Sequence, residues 1–155
     1  MGVYRRFAGD SLPSFVTTNT NERRAIFSSA DACRLLLQLV YEVGIKLLAF
    51  AIMPDHVHLI VSAASADELS RAMQLLQGRF ARRYNELSGR TGAVWQSRYH
   101  EHALRSEAAL LRAIEYVHHN PVVAGLASDP EAYAWSSANR LCTTDLAEYL
   151  GQAEA

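Results

Sequence analysis

The run His56-Val57-His58 holds two imidazoles one residue apart. Alternate side chains of a strand share a face, so this spacing sends both rings to one side and Val57 to the other. Neutral imidazole is a common ligand for divalent metals. Two rings on one face supply two positions of a site that must leave others for water and substrate, and a third protein ligand has to come from elsewhere. Met53-Pro54-Asp55 just before the pair reads as a turn, from which Asp55 can orient an imidazole through its second ring nitrogen. A second alternation, His100-Glu101-His102, has no turn beside it and is expected to be structural or to face solvent.

A metal pair needs a group on which to act. Residues after Ser106 read as a helix; at about 100° per residue, Leu110, Leu111, Ile114 and Val117 fall within one apolar arc. Arg112, Tyr116, His119 and Asn120 gather on the other side, so Tyr116, one of seven tyrosines, lies off the buried stripe. Asn120 follows one turn later, where its amide oxygen could join a metal beside the phenol; His119 could substitute as ligand or base, whereas His118 falls on the apolar side and is expected to be structural. A phenol, with a pKa near about 10, is a weak nucleophile at neutral pH. It attacks a phosphodiester once a metal neutralises the phosphate oxygens and holds the phosphate in line. The resulting phosphotyrosine keeps the reactivity of a diester, so a freed hydroxyl can attack it later; transfer, and not cutting alone, is implied.

Those residues need a scaffold. Phe15 to Thr18 reads as a first strand, and a helix capped by Ser28, Ser29 or Asp31 carries Leu35, Leu36, Leu39, Val40 and Val43 to a stop at Gly44. Ile45 to Met53 and His56 to Ser62 form a hairpin about Pro54-Asp55. Asp67 is expected to cap a second helix, Glu68 to Leu87, and after the loop Ser88 to Gly92 a half-exposed strand is expected over Val94 to Leu104. The third helix is expected to close at Asn120-Pro121, since the residue before proline is pushed out of the α region; a short last helix is expected within Asp145 to Leu150. This β-α-β-β-α-β-α order predicts an α+β, ferredoxin-like antiparallel sheet with helices packed on it. Residues 1–155 show no repeat or linker and are expected to form a single domain.

Composition narrows the class. Half of the residues are hydrophobic and a fifth charged, as in ordinary globular chains. No apolar run approaches the roughly 18 residues of a membrane span, and no apolar segment follows Arg5 and Arg6 as a secretory signal requires, so a cytoplasmic protein without a membrane partner is expected. Cys33 and Cys142 lie far apart and are expected to be small buried apolar residues. The net charge is −1, but residues 1–112 hold 14 Lys/Arg against 10 Asp/Glu, and the stretch 71–112 holds eight arginines against three glutamates. Guanidinium groups grip phosphates bidentately and stack on bases, which suits a nucleic-acid backbone.

Three motifs in order, Met53-Pro54-Asp55-His56-Val57-His58-Leu59-Ile60-Val61, Trp95-Gln96-Ser97-Arg98-Tyr99 and Tyr116-Val117-His118-His119-Asn120-Pro121-Val122-Val123-Ala124-Gly125-Leu126, resemble the REP-associated tyrosine transposases, relatives of the single-tyrosine HUH transposases. The likeness extends through Tyr4-Arg5-Arg6, Arg79 to Asn85, Gly89 to Gly92 and Trp135-Ser136-Ser137. Val123, where the family often has arginine, and the acidic C-terminal region depart from its pattern. The resemblance implies His56, His58 and Asn120 as ligands of Mg2+ or Mn2+, and Tyr116 as the nucleophile that takes a 5′-phosphate. It implies a single-stranded DNA hairpin as substrate, contacted by Arg5, Arg6, Arg79, Arg82, Arg83 and Arg98, and action as a monomer or homodimer. Two other readings compete. A histidine-triad nucleotide hydrolase is disfavoured because Ile60 stands where its third histidine belongs, and a non-catalytic DNA-binding regulator would keep the fold with the ligands as relics.

Overall fold

The computed structural model describes residues 12–154. Arg5 and Arg6 lie outside them. Four strands, β1 (Ser14–Asn19), β2 (Lys46–Met53), β3 (His56–Ser62) and β4 (His100–Ala103), form one antiparallel sheet in the order β2-β3-β1-β4. The major helices are α1 (Ala30–Val43), α2 (Ala66–Ser88), α3 (Glu107–Val123) and α4 (Leu146–Glu154). The strand order and the helix crossovers are those of the ferredoxin-like fold, and the α+β class expected from the sequence is found.

Strand alternation divides the core into two layers. Val16, Phe50, Ile52, Val57, Leu59 and Val61 point to one face, where they meet Leu36 and Leu39 of α1 and Leu69, Met73, Leu76 and Phe80 of α2. Ala51, Met53 and Ile60 point to the other, against Leu110, Ile114 and Val117 of α3. A bulge where the register passes from Leu47 to Ala49 brings Leu48 and Ala49 to the α3 face together, so this end of β2 is buried on both sides.

Helix ends follow local chemistry. Ser29 caps α1 by accepting from the Ala32 N–H, and Gly44 closes the helix in the left-handed conformation. For α2 the expected Asp67 cap is corrected: Ser65 accepts from the Glu68 N–H while the Glu68 carboxylate accepts from the Ala64 N–H, and Asp67 sits within the first turn. Ser106 caps α3 as expected.

Two boundaries differ further. The helix α3 runs through Pro121 to Val123 because a proline this close to the end sacrifices only one main-chain bond. Its ring is buried, and the last turn is closed by the Ala124 N–H to Asn120 and the Leu126 N–H to Pro121. The strand expected over Val94 to Leu104 shrinks to His100–Ala103. Trp95 is drawn under the sheet instead, its indole N–H donating to the Gln77 carbonyl, while Val94 and Gln96 bond the chain around Asn19 and Asn21.

The edge of β2 is closed by the segment after α3. Tyr133 donates to the Ile52 carbonyl, the Ile52 N–H to Trp135, the Ser137 N–H to Phe50, and Asp145 exchanges bonds with both main-chain groups of Leu47. Cys33 is buried as expected, with a thiol that burial pushes up to about 12, whereas Cys142 is only half-buried. Leu111, expected on the apolar arc, is 48% exposed, whereas Leu110, Ile114 and Val117 of the same helix are buried against the sheet.

The α2 layer is organised by aromatic rings: Phe80, fully buried, lies 5.2 Å from Phe27, 5.3 Å from Trp95 and 5.6 Å from Tyr84 between centroids. Replacing Phe80 by alanine leaves a cavity between α2 and the sheet. It is expected to cost about 3–5 kcal/mol in urea denaturation, whereas Phe80→Leu should cost distinctly less.

Candidate functional site

The histidine pair lies on the α3 face of the sheet, at the end where β3 emerges from its turn. His56 stands opposite Asn19 of β1, and His58 opposite Thr17. The two imidazole centroids are 4.8 Å apart and nearly perpendicular. Each ring is tied through Nδ1. That of His56 donates to Asp55 Oδ1 at 2.7 Å, as the sequence suggested for Asp55, and that of His58 lies 3.0 Å from Thr17 Oγ1. This leaves the Nε2 side of both rings for a ligand, the arrangement by which outer partners orient metal-bound histidines.

His58 is 5% exposed. Burial, joined by the charges of His56 and Arg23, lowers its pKa from 6.5 to about 4, so the ring is neutral and carries a lone pair at physiological pH. Burial alone would raise the Asp55 carboxyl, but hydrogen bonds from His56 and Arg23, with their charges, outweigh it and hold the group below its ordinary value. Asp55 therefore stays ionised as the acceptor that His56 requires.

Helix α3 brings Tyr116 to the pair. Its ring centroid is 5.9 Å from that of His58 and 5.9 Å from that of Phe15, and the residue is 56% exposed. Phe15 also touches His58, at 5.4 Å, so an aromatic contact from β1 braces both rings. A nucleophile beside ligand-ready imidazoles and open to solvent is an arrangement that phosphoryl transfer can use. Asn120 follows Tyr116 by one turn and is half-buried.

Among the described residues no third histidine, cysteine or carboxylate completes a group able to hold a metal. This corrects His119 as a substitute third ligand: its Nδ1 lies 3.1 Å from the Glu115 carbonyl, and it lines a separate cleft of about 800 Å³ with Leu111 and His118. The donors that the structure brings together are the two imidazoles, a pair of the kind that would serve a divalent ion keeping several waters. His118 bonds Ser137 at 2.7 Å, in the structural role expected of it.

The arginines divide. Arg79, Arg82 and Arg83 surround a recess of about 210 Å³ with Gly78 on α2, the layer opposite Tyr116; Arg83 reaches Glu42 at 3.7 Å and Arg82 reaches Glu86 at 3.9 Å. Arg98 is exposed on the approach to β4. His100 and His102 face solvent, as expected, although the register opposite Thr17 and Phe15 puts them on the face that carries His56 and His58.

No local pattern in the chain marks Arg23. Its Nε donates to Asp55 Oδ2 and its Nη1 to Asn19 Oδ1, each at 3.0 Å. Glu22 and Arg23 have φ of 57° and 55°, the only left-handed residues other than glycine among those described, a conformation that costs about 1–3 kcal/mol each. Neither this turn nor the Thr17–His58 pairing could be found without the register of β1 against β3.

Comparison with known proteins shows the family. A family model described as "Transposase IS200 like" matches residues 14–120. A REP-associated tyrosine transposase of Escherichia coli K12 is 24% identical over 149 residues, covering 90% of this chain and 84% of the relative. A Haemophilus influenzae protein provisionally given the same designation is 25% identical over 141 residues, covering 84% and 75%. Among solved structures, a REP-associated tyrosine transposase bound to a REP hairpin superposes with a TM-score of 0.71 at 23% identity, covering 90% of this chain and 84% of that one. With the family model matched over residues 14–120 and the shared sheet in place, this chain belongs to the IS200-like transposase family and is similar to the REP-associated tyrosine transposases.

Proposed function

We propose that this chain cuts and rejoins single-stranded DNA at a hairpin, with Tyr116 as nucleophile and with His56, His58 and Asn120 as ligands of Mg2+ or Mn2+. The observation that carries the reading is the 5.9 Å approach of the exposed Tyr116 ring to His58, in a pair whose Nδ1 atoms are both engaged. The hairpin is inferred from the relative whose solved structure is bound to a REP hairpin.

When bound, the ion supplies charge neutralisation at the phosphate oxygens. The chain does the rest. His58 stays neutral to donate its lone pair, Thr17 and Asp55 fix the ring orientations, and Tyr116 presents its phenol to the phosphate. As the Tyr116 oxygen bonds to phosphorus, the bond from phosphorus to the 3′ oxygen breaks. The phenolic proton passes to solvent and the departing oxygen takes one up, leaving a 3′-hydroxyl and a 5′-phosphotyrosine. Attack by a 3′-hydroxyl reverses these steps and reseals a strand. Arg98, with Arg5 and Arg6, contacts phosphates of the hairpin, and Arg79, Arg82 and Arg83, on the layer opposite Tyr116, contact phosphates remote from the cut.

A labelled hairpin incubated with Mn2+ should become covalently attached to the protein, seen as a band stable in denaturing gels. Tyr116→Phe should give no such band, and His56→Ala should lower its yield at least about 100-fold. Hairpin retarded in a native gel but never attached would favour the regulator reading.

The depressed pKa of His58 has a defined sign. Between about 4 and 6.5 the unfolded chain binds the proton that the folded one refuses, so stability falls as pH drops through this window and is complete above it. In the metal-free protein the His58 ring signals should titrate near 4 by NMR. His58→Gln should remove up to about 3 kcal/mol of the acid-side loss of stability.

A further inference from the structure

Arg23 stands outside the reaction described above, yet the fold spends unusual geometry on it. The turn that carries it is anchored at every side: the Thr20 N–H and hydroxyl reach the Asp55 carbonyl at 3.0 Å, the Asn21 N–H reaches Val94 at 2.8 Å, and the Phe27 N–H reaches Pro54 at 2.9 Å. Within this frame Glu22 and Arg23 adopt consecutive left-handed conformations. Strain of this kind persists where surrounding contacts over-determine it, and it collects at functional sites.

What the strain holds in place is a two-point clamp. Arg23 Nε takes Asp55 Oδ2 and Nη1 takes Asn19 Oδ1, while Asp55 Oδ1 takes the Nδ1 proton of His56 at 2.7 Å. Asn19 is itself fixed at its other end, its amide donating to Gln96 Oε1 at 3.4 Å. Both carboxylate oxygens of Asp55 are thus used, one on each side. Arg23 Nη2 lies 3.5 Å from His56 Nδ1, too far and on an atom already committed to Asp55, so the guanidinium acts on the imidazole through the carboxylate.

We propose that Arg23 is a positioning residue of the metal site: it locks the Asp55 carboxylate in the orientation that keeps the His56 proton on Nδ1 and leaves Nε2 free to ligate. A carboxylate held at one oxygen only can rotate, and the imidazole then samples both tautomers and other ring angles. The planar fork of arginine, which makes two fixed bonds, is suited to this and the ammonium of lysine is not. The purpose of the clamp rests on the metal-dependent function proposed above, but its effect on His56 is a property of the metal-free chain.

The test uses the whole chain and three variants, Arg23→Gly, Arg23→Lys and Asp55→Asn. Glycine relieves the left-handed backbone while deleting the clamp, so Arg23→Gly should melt at the same temperature as the parent protein or higher. Nitrogen-15 NMR of the metal-free proteins should show His56 as a single tautomer protonated at Nδ1 in the parent and as a mixture in Arg23→Gly and Asp55→Asn, with Arg23→Lys between. Calorimetric Mn2+ affinity should fall about 10–100-fold in Arg23→Gly. An unchanged His56 tautomer in Arg23→Gly overturns the proposal, as does a lowered melting temperature with the tautomer intact, which would make the arginine merely structural. Absence of Mn2+ binding by the parent protein would count against the metal-dependent reading, and the tautomer measurement would still decide the role of Arg23.

Discussion

The site depends on the register of β3. Its residues alternate between two covered faces, so a shift by one position would drive His56 and His58 into the apolar layer under α1 and α2 and turn Val57 and Leu59 toward Tyr116. Burial of an imidazole pair among Phe27, Phe80 and Trp95 would leave polar nitrogens without partners, and exposure of Val57 would forfeit apolar burial. Antiparallel pairing on both sides, with β1 and β2, fixes the alignment. The hydrophobic pattern of the strand and the placement of its two imidazoles are therefore one constraint.

A second consequence of that alignment is the chemistry available at each ring. Thr17 meets His58 because β1 and β3 pair at that position, and Asn19 meets His56 two residues on. Helix α3 then covers the β2–β3 half of the face with Leu110, Ile114 and Val117, and places Tyr116 at the border where cover gives way to solvent. Tyr116 is exposed while the imidazole of His58 beside it is buried, and in the proposed reaction the phosphate of a substrate meets both from the solvent side.

Much of this was legible in the chain. The spacing of His56 and His58 told which face they share, and the helical stripe of α3 told that Tyr116 lies off it, because both are periodicities of local structure. The fold class followed from element order. What the sequence withheld depended on tertiary pairing. Trp95 reads as a strand residue, but its indole finds a carbonyl on α2, and the strand shortens accordingly. Pro121 reads as a helix stop, but a buried ring at the last turn is tolerated. The arginines of 71–112 read as one basic surface, yet α2 carries Arg79, Arg82 and Arg83 on the layer away from Tyr116, since a run in sequence crosses the sheet in space. Arg23 carried no local signal, because its partners are Asn19 on a strand and Asp55 at a distant turn.

The segment that runs along β2 bears on how one copy of this chain can meet another. A bare sheet margin invites a foreign strand to dock and continue the ladder. Here Tyr133, Trp135, Ser137 and Asp145 already satisfy the outward main-chain groups of Leu47, Phe50 and Ile52, so that margin is sealed from within. The opposite margin, β4, offers only four residues, among them solvent-facing His100, Glu101 and His102, too short and too polar to template an intruder. Self-association through a shared, continuous sheet is therefore disfavoured at both ends, and helical surfaces are left as the ground on which two copies would join.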